Sequence, residues 1–367
     1  MIIGNMKMIR FCTFVVLLLS VSVGGRAQKL LVQDTEGNPI PYAHILSHSG
    51  AVLEMTNLDG TVDMTPIRDQ AEGKPVTVTH VAFKPVDLSL AEAGQTQKVE
   101  MEEADFSMDE VVVSPKDYLY VQTYYRVIYM KDDTVVYYRS GLIDNTYDVK
   151  KKSLKTDSRH FSKANMGLIK FVLDKLAGGR LEDRCRLPVK SGKGSSEISR
   201  SKVSPTREEL SIGGQKCGFV VIDRESRQQR MSVDMNVVLR HYFEKEGKQK
   251  RLKRQEQKKN DVSNYYVVYQ TDEEGHYGIE DFKMLQYHID YDSYDRVDKK
   301  DEHTRIWLES YNTDRAYVTK KELKERKKQN RREMNIESMR QFELDHGVPP
   351  LAPQFQQRLD VLFKKAE

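Results

Sequence analysis

Two short patterns in this chain have the spacing of catalytic groups. His241 and Glu244, in "HYFE", stand in the H-x-x-E relation of zinc carboxypeptidases, and His303 or His346 is the downstream imidazole that would complete a ligand set. Zinc catalysis needs three converging ligands, an open position and a general base. The surroundings of the pair read as one short helix running into "EKEGKQKRLKRQEQKKN", a lysine-dense flank that opposes a divalent cation. An exposed i, i+3 helix pair is therefore the expectation. Ser199 and Lys202, in "SRSK", have the spacing of a serine nucleophile and its lysine. They lie in "KSGKGSSEISRSK", which reads as a flexible Ser/Gly-rich loop, and no Ser-Asp-Asn or Lys-Thr-Gly partner occurs in the sequence. No G-x-S-x-G, Walker loop, dinucleotide glycine pattern or Cys-x-x-Cys is present. The reading assigns no catalytic residue, no metal ligand and no cofactor. A zinc peptidase or a Ser-Lys hydrolase is the alternative.

Two further features bear on chemistry. Cys185 and Cys217 flank a loop of about 30 residues; in an oxidising compartment they can bridge, and two free thiols are the other option. "SMDEVVVSP" (107–115) sets acids before three β-branched residues and a proline. Val111, Val112 and Val113 favour a strand, and Pro115 stops it. Met108, Asp109, Glu110, Val111, Val112 and Val113 then form either the exit of a domain into a linker or an extended segment that adds to a partner's sheet edge.

Residues 1–27 have the layout of a secretory signal peptide. Lys7 and Arg10 are positive, Phe11–Val23 is apolar, and Gly24, Gly25 and Ala27 are small enough for cleavage before Gln28. The apolar run is shorter than the roughly 20 residues a spanning helix needs. The expected location is outside the cytoplasm, in the periplasm or at the outer membrane. The chain carries a net charge of +4, of which Lys7, Arg10 and Arg26 supply three. A near-neutral remainder gives nucleic-acid binding no support. The basic runs 244–259 and 319–332 read as solvated faces with interspersed glutamates.

The remaining composition, 38% hydrophobic and 31% charged, fits a globular chain of about two domains. Residues 28–101 read as short strands and tight turns. Leu30-Leu31-Val32 is a strand; "DTEGNPIP" and "NLDG" are turns; "YAHIL" and the alternating "VTVTHVAF" are strands. "QDTEGNPIPYAHI … TNLDG … VTVTHVAFKP" resembles the carboxypeptidase-regulatory-like domain, a transthyretin-like β-sandwich. Asp34, Gly37, Pro39, Ala43, Thr56, Asp59 and Gly60 stand where that family's pattern places them, whereas Ala82-Phe83 replaces its usual Gly-Tyr. The resemblance covers roughly a fifth of the chain and implies a fold, not an activity. In TonB-dependent outer-membrane receptors a domain of this type is often followed by a segment similar to "MDEVVV", then a plug and barrel that this sequence lacks.

An acidic linker, 102–116, is expected next, with few contacts crossing it. Residues 117–318 read as a curved antiparallel sheet. "DYLYVQTYYRVIYMKDDTVVYYRSGLID" is a hairpin turning at Asp132-Asp133, and "VSNYYVVYQTD" and "HTRIWLESYNTDRAYV" are further strands. "MLQYHIDYD" puts Leu285, Tyr287, Ile289 and Tyr291 on one face and Gln286, His288, Asp290 and Asp292 on the other. Tyr124, Tyr125, Tyr137, Tyr138, Tyr265 and Tyr266 either pack a half-wet sheet or line a groove. Residues 162–179 are expected as a helix capped by Ser162. The tail, 319–367, reads as a charged helix begun by Thr319 and Glu322, running to Gly347 and broken by "VPPLAP", then a short amphipathic helix.

The fold class is thus mainly β with helices: a transthyretin-like sandwich, a curved antiparallel sheet with packed helices, and a helical tail. The functional expectation is an exported, non-catalytic interaction or ligand-binding module of the cell envelope, with an envelope protein, a carbohydrate or an apolar ligand as partner. A lipid carrier is the third class. The sequence leaves open whether a face of the large sheet is a groove or a filled core.

Overall fold

The structure is a computed structural model that describes residues 28–91, 96–108, 116–165, 197–249, 262–295, 300–329 and 335–366. Its elements are mainly strands. In the N-terminal part, β1 (Lys29–Asp34), β2 (His44–Leu46), β3 (Val52–Met55), β4 (Thr61–Asp63), β5 (Val76–His80), β6 (Phe83–Leu88) and β7 (Gln97–Met101) form two sheets, ordered β4-β1-β7 and β3-β2-β5-β6. Leu30, Val32, Ile45, Val76, Val78 and Met101 fill the core between them.

The turns follow from the residues that make them. Asp34 Oδ1 accepts from the backbone N–H groups of Glu36 and Asn38 (3.0 and 2.7 Å), and Gly37 takes φ +81°. Gly60, at φ +71°, passes so close to β1 that a Cβ would lie 2.7 Å from Val32 O. One element was not foreseen: α1 (Met64–Ala71), whose N-cap Asp63 accepts from Thr65 N and whose Met64, Ile67 and Ala71 are buried. Pro66 lies inside its first turn, where a missing N–H costs nothing.

Residues 118–318 supply a ten-stranded antiparallel sheet. In chain order its strands are β8 (Tyr118–Lys131), β9 (Thr134–Asp148), β10 (Ser153–Asn165), β11 (Ser199–Ser204), β12 (Arg207–Ile212), β13 (Gln215–Asp223), β14 (Gln228–Asp234), β15 (Val262–Gln270), β16 (Phe282–Asp295) and β17 (Lys300–Val318). In space they run β10-β9-β8-β17-β16-β15-β14-β13-β12-β11. Asp132 and Asp133 both have positive φ (43° and 59°), the conformation that a two-residue hairpin loop requires. One helix, α2 (Met235–Lys245), caps on Asp234 and lays Val238 against β12 and β13.

Several expectations are corrected. Residues 162–165 are not a helix start: they continue β10, paired with Tyr137–Ser140 of β9, and 166–179 lies outside the described residues. "SRSK" is not a loop but the start of edge strand β11. The tail is not one helix to Gly347. α3 (Lys320–Gln329) begins with the Thr319–Glu322 box, and α4 (Ile336–Asp345) has its own capping box of Asn335 and Ser338. α5 (Pro353–Ala366) follows "VPPLAP".

The face of the large sheet that meets the sandwich is a filled core. Tyr124, Leu142, Tyr266, Val268, Met284 and Tyr311 share a cluster with the sandwich residues and with Met339 and Val348. Phe355, Leu359, Leu362 and Phe363 of α5 bury against Ile128, Tyr138 and Trp307, with Leu46 and Val52 of the sandwich. Each such side chain contributes about 1.5–3 kcal/mol by leaving water, so the last helix is a core element of the fold. Gly50 (φ +78°) makes this docking possible, since a Cβ there would lie 2.6 Å from Gln354 O. The segment after β7 is also docked: Phe106 is 3% exposed in the shared core, and Glu103 bridges to Phe83. Contacts across the acidic segment are therefore extensive where few were expected.

Candidate functional site

The strand alternation read from the sequence holds, but its polar side is the one that the sandwich covers. Gln286 and His288 are 1% exposed, while Tyr287, Ile289 and Tyr291 belong to the cluster of the opposite face. Burying polar groups is costly unless they find partners; three charged clusters along the seam supply many of them, while atoms such as His44 Nδ1 are buried without a hydrogen bond.

The first centres on Arg230 of β14. Its guanidinium meets Asp34 of β1 (2.9 Å), Asp223 of β13 (3.1 Å) and Glu103, which also accepts from Gln228 Nε2 (3.1 Å). The second joins His44, Asp290, His303 and Arg305. His44 Nε2 lies 3.1 Å from His288 Nδ1, and His288 Nε2 lies 3.6 Å from Asp290 Oδ2. His303, more exposed, sits 2.7 Å from Asp290 and 2.8 Å from Asp292. Arg305 binds Asp290, Asp133 and the Val52 carbonyl, each at 3.0 Å. Burial, then the neighbouring His288, pushes the His44 imidazole well below its ordinary value. The bond to Asp290 raises His303 to about 9. Burial disfavours the Asp290 carboxylate, yet hydrogen bonds from the two histidines and the charge of Arg305 hold it well below the usual carboxylate range.

The third cluster forms the floor of a cleft. Arg126 of β8 and Glu309 of β17 are direct cross-strand partners. Arg126 Nε donates to Glu309 Oε2, and Nη2 donates to Tyr311 Oη (3.3 Å) and to the Pro349 carbonyl (3.0 Å). Tyr311 Oη in turn donates to Glu309 Oε2 (3.0 Å). Among the described residues, Arg126 Nη1 and Glu309 Oε1 have no hydrogen-bond partner. Burial opposes the Arg126 charge, but Glu309, Tyr311, Tyr124 and Glu343 together outweigh it and hold the guanidinium well above its ordinary value.

Above this floor lies an inner chamber of about 220 Å³. Its walls come from the sandwich (Val81, Phe83, Pro85), from β17 (Trp307, Tyr311) and from the strap Pro349-Pro350-Leu351. Asp105 and Gly347 border it and also border an outer chamber of about 360 Å³, lined by Met108, Asn312, Asp314, Arg315, Asp345 and His346 among others. α4 ends at this outer chamber. Gly347 adopts φ +62°, and Val348 N closes the helix end on Glu343 O (2.9 Å). The two prolines cannot continue a helix, so the chain crosses the inner chamber as a strap. An apolar chamber with few polar groups on its floor is the usual form of a ligand site.

The residues singled out from sequence are dispersed. His241 lies on α2 with Nε2 3.2 Å from Glu197, which also binds Lys245 (2.7 Å). Glu244 is exposed, His303 belongs to the Asp290 cluster, and His346 stacks on Phe342. Ser199 and Lys202 are three apart on an exposed strand, a spacing that sends side chains to opposite faces. Cys217 is buried beneath α2, and burial pushes its thiol up to about 11. Cys185 lies outside the described residues, as do Asp109, Glu110, Val111, Val112 and Val113. Met108 is described: it is partly buried against the shared core and lines the outer chamber.

Arg126, Trp307, Glu309 and the strap were missed by sequence reasoning. A signal for them exists. Arg126 interrupts the apolar run "YVQTYYRVIYM", and Trp307, Glu309 and Tyr311 are spaced two apart, hence on one face. No protein-family model matches the chain, and comparison with curated proteins finds no relative.

Proposed function

We propose that this is an exported, non-catalytic binding protein of the cell envelope that receives its ligand in the cleft between sandwich, β17 and strap. The observation that carries the reading is the inner chamber, with apolar walls over a buried Arg126–Glu309 pair whose Nη1 and Oε1 are unshared. Such a floor orients a polar group while the walls hold its apolar part. The leader-like residues 1–27 support export to the periplasm or the inner face of the outer membrane. The likeness of 28–101 to the carboxypeptidase-regulatory-like domain supports an accessory, non-catalytic role for that part. An inner chamber below the 300–1,000 Å³ typical of drug-sized ligands favours a side-chain-sized group over an acyl chain.

The test is cellular fractionation followed by metal analysis and activity-based labelling of the purified protein. The expected result is envelope protein beginning at Gln28, without stoichiometric zinc and without labelling of Ser199. One zinc per chain, lost together with peptidase activity in His241→Ala with Glu244→Gln, would overturn the reading, as would cytoplasmic protein with an intact leader.

A further inference from the structure

Resting on that reading, we infer that the cleft recognises a partner polypeptide through an apolar side chain followed by a basic one. Three features of the two chambers lead there. First, the inner chamber has the capacity of one large side chain, and Val81, Phe83, Trp307, Tyr311 and Leu351 give it apolar walls. Second, its floor offers one donor, Arg126 Nη1, and one acceptor, Glu309 Oε1, on side chains 3% and 1% exposed. A peptide group carries one acceptor and one donor, so it satisfies both, whereas a hydrocarbon tail satisfies neither and leaves a buried ion pair underbonded.

Third, the outer chamber is negative. Asp345 accepts a bond from Gln341 (2.7 Å) and has no cation partner among the described residues. Asp105, common to both chambers, pairs with Lys84 on the inner side (3.2 Å). Asp314 and Arg315 are each paired already, with Arg326 and Asp281. The C-terminal end of α4 adds the negative pole of a ten-residue helix at Asp345–Gly347. The two chambers share Asp105 and Gly347, so adjacent residues of one strand or loop reach both. An acidic, sulfated or phosphorylated ligand meets repulsion here.

The single tryptophan of the chain, Trp307, lines the inner chamber and reports its occupancy. The experiment titrates the mature protein with N-acetyl-Phe-Lys-amide, N-acetyl-Phe-Glu-amide and N-acetyl-Gly-Lys-amide, following Trp307 fluorescence and calorimetry at low and high salt. The expected order is Phe-Lys first, Phe-Glu about tenfold or more weaker, and no saturable response from Gly-Lys. Asp345→Asn, at an exposed position, weakens Phe-Lys about threefold and removes part of its salt dependence. Ala104→Phe, which fills the inner chamber from its rim, abolishes the response. Equal or tighter binding of Phe-Glu overturns the inference while leaving the cleft a binding site. So does the absence of any Trp307 response to Phe-Lys up to millimolar concentration. An Ala104→Phe protein that folds and still binds overturns it as well; should that variant not fold, the Asp345→Asn comparison decides alone.

Discussion

Acidification should unfold this protein from its seam, and His80 allows the effect to be sized. His80 lies at the end of β5, 3% exposed, edge-on to Tyr266 (4.6 Å between ring centres) and beside Phe83 (5.3 Å). Its Nδ1 accepts from Ala82 N (3.2 Å). Burial, and then the charge of Arg230, pushes the imidazole down to about 3. A histidine in the unfolded chain titrates near 6.5. Between these values the unfolded state binds the proton and the folded state does not, so stability is present above pH 6.5 and is lost as pH falls. At 1.36 kcal/mol per unit, moving from pH 7 to pH 5 removes about 2 kcal/mol through His80 alone. His44 and His288, both lowered chiefly by burial, add losses of the same sign. His303 acts oppositely. Raised to about 9, it contributes stability below pH 6.5 that is lost as pH rises through 9. The assay is urea unfolding followed by circular dichroism at pH 5 and pH 7, for the native sequence and His80→Gln. The variant is expected to be weaker at pH 7 but to lose about 2 kcal/mol less on acidification. An unchanged pH dependence in His80→Gln would refute the argument.

Removing the Arg230 guanidinium by Arg230→Met strands Asp34 and Asp223, 4% and 6% exposed, without their cation. Urea titration should show a loss of about 3–5 kcal/mol, and a loss below 1 kcal/mol would mean the carboxylates find water instead. Gly50→Ala introduces a methyl 2.6 Å from Gln354 O at φ +78°. Hydrogen exchange should then speed up in α5 before it does in β8 or β17, at an overall cost of about 1–2 kcal/mol.

Local features were legible in the sequence because local rules decide them. The hairpin at Asp132-Asp133 and the Thr319–Glu322 box appear where the residues put them. So does the two-residue alternation of β16, because a strand's side chains must point to opposite faces whatever lies outside. The helix expected over 162–179 fails at its start for a nonlocal reason. Ser162–Asn165 have backbone partners waiting on β9, and ladder hydrogen bonds outweigh a cap. "SRSK" likewise looks like a loop until β12 pairs with it. The short amphipathic helix read at the end of the tail is present as α5, and its stripe of Phe355, Leu359 and Leu362 becomes core because Trp307 and Ile128 lie opposite it.

By itself, then, the sequence determined that the chain is β-rich, where its turns fall and which residues share a strand face. Only the tertiary structure decided which face is covered. The sandwich docks on the polar side of β16, and the reason is pairing. Gln286, His288 and Asp290 look like a solvated stripe in isolation, but in the fold they meet the Tyr42 carbonyl, His44 and Arg305 respectively. The cleft is tertiary in the same sense. Its floor joins strands whose paired residues Arg126 and Glu309 are far apart in the chain, and its lid is a proline strap from the tail. No local pattern carries that juxtaposition, because each wall gains its role from the other two.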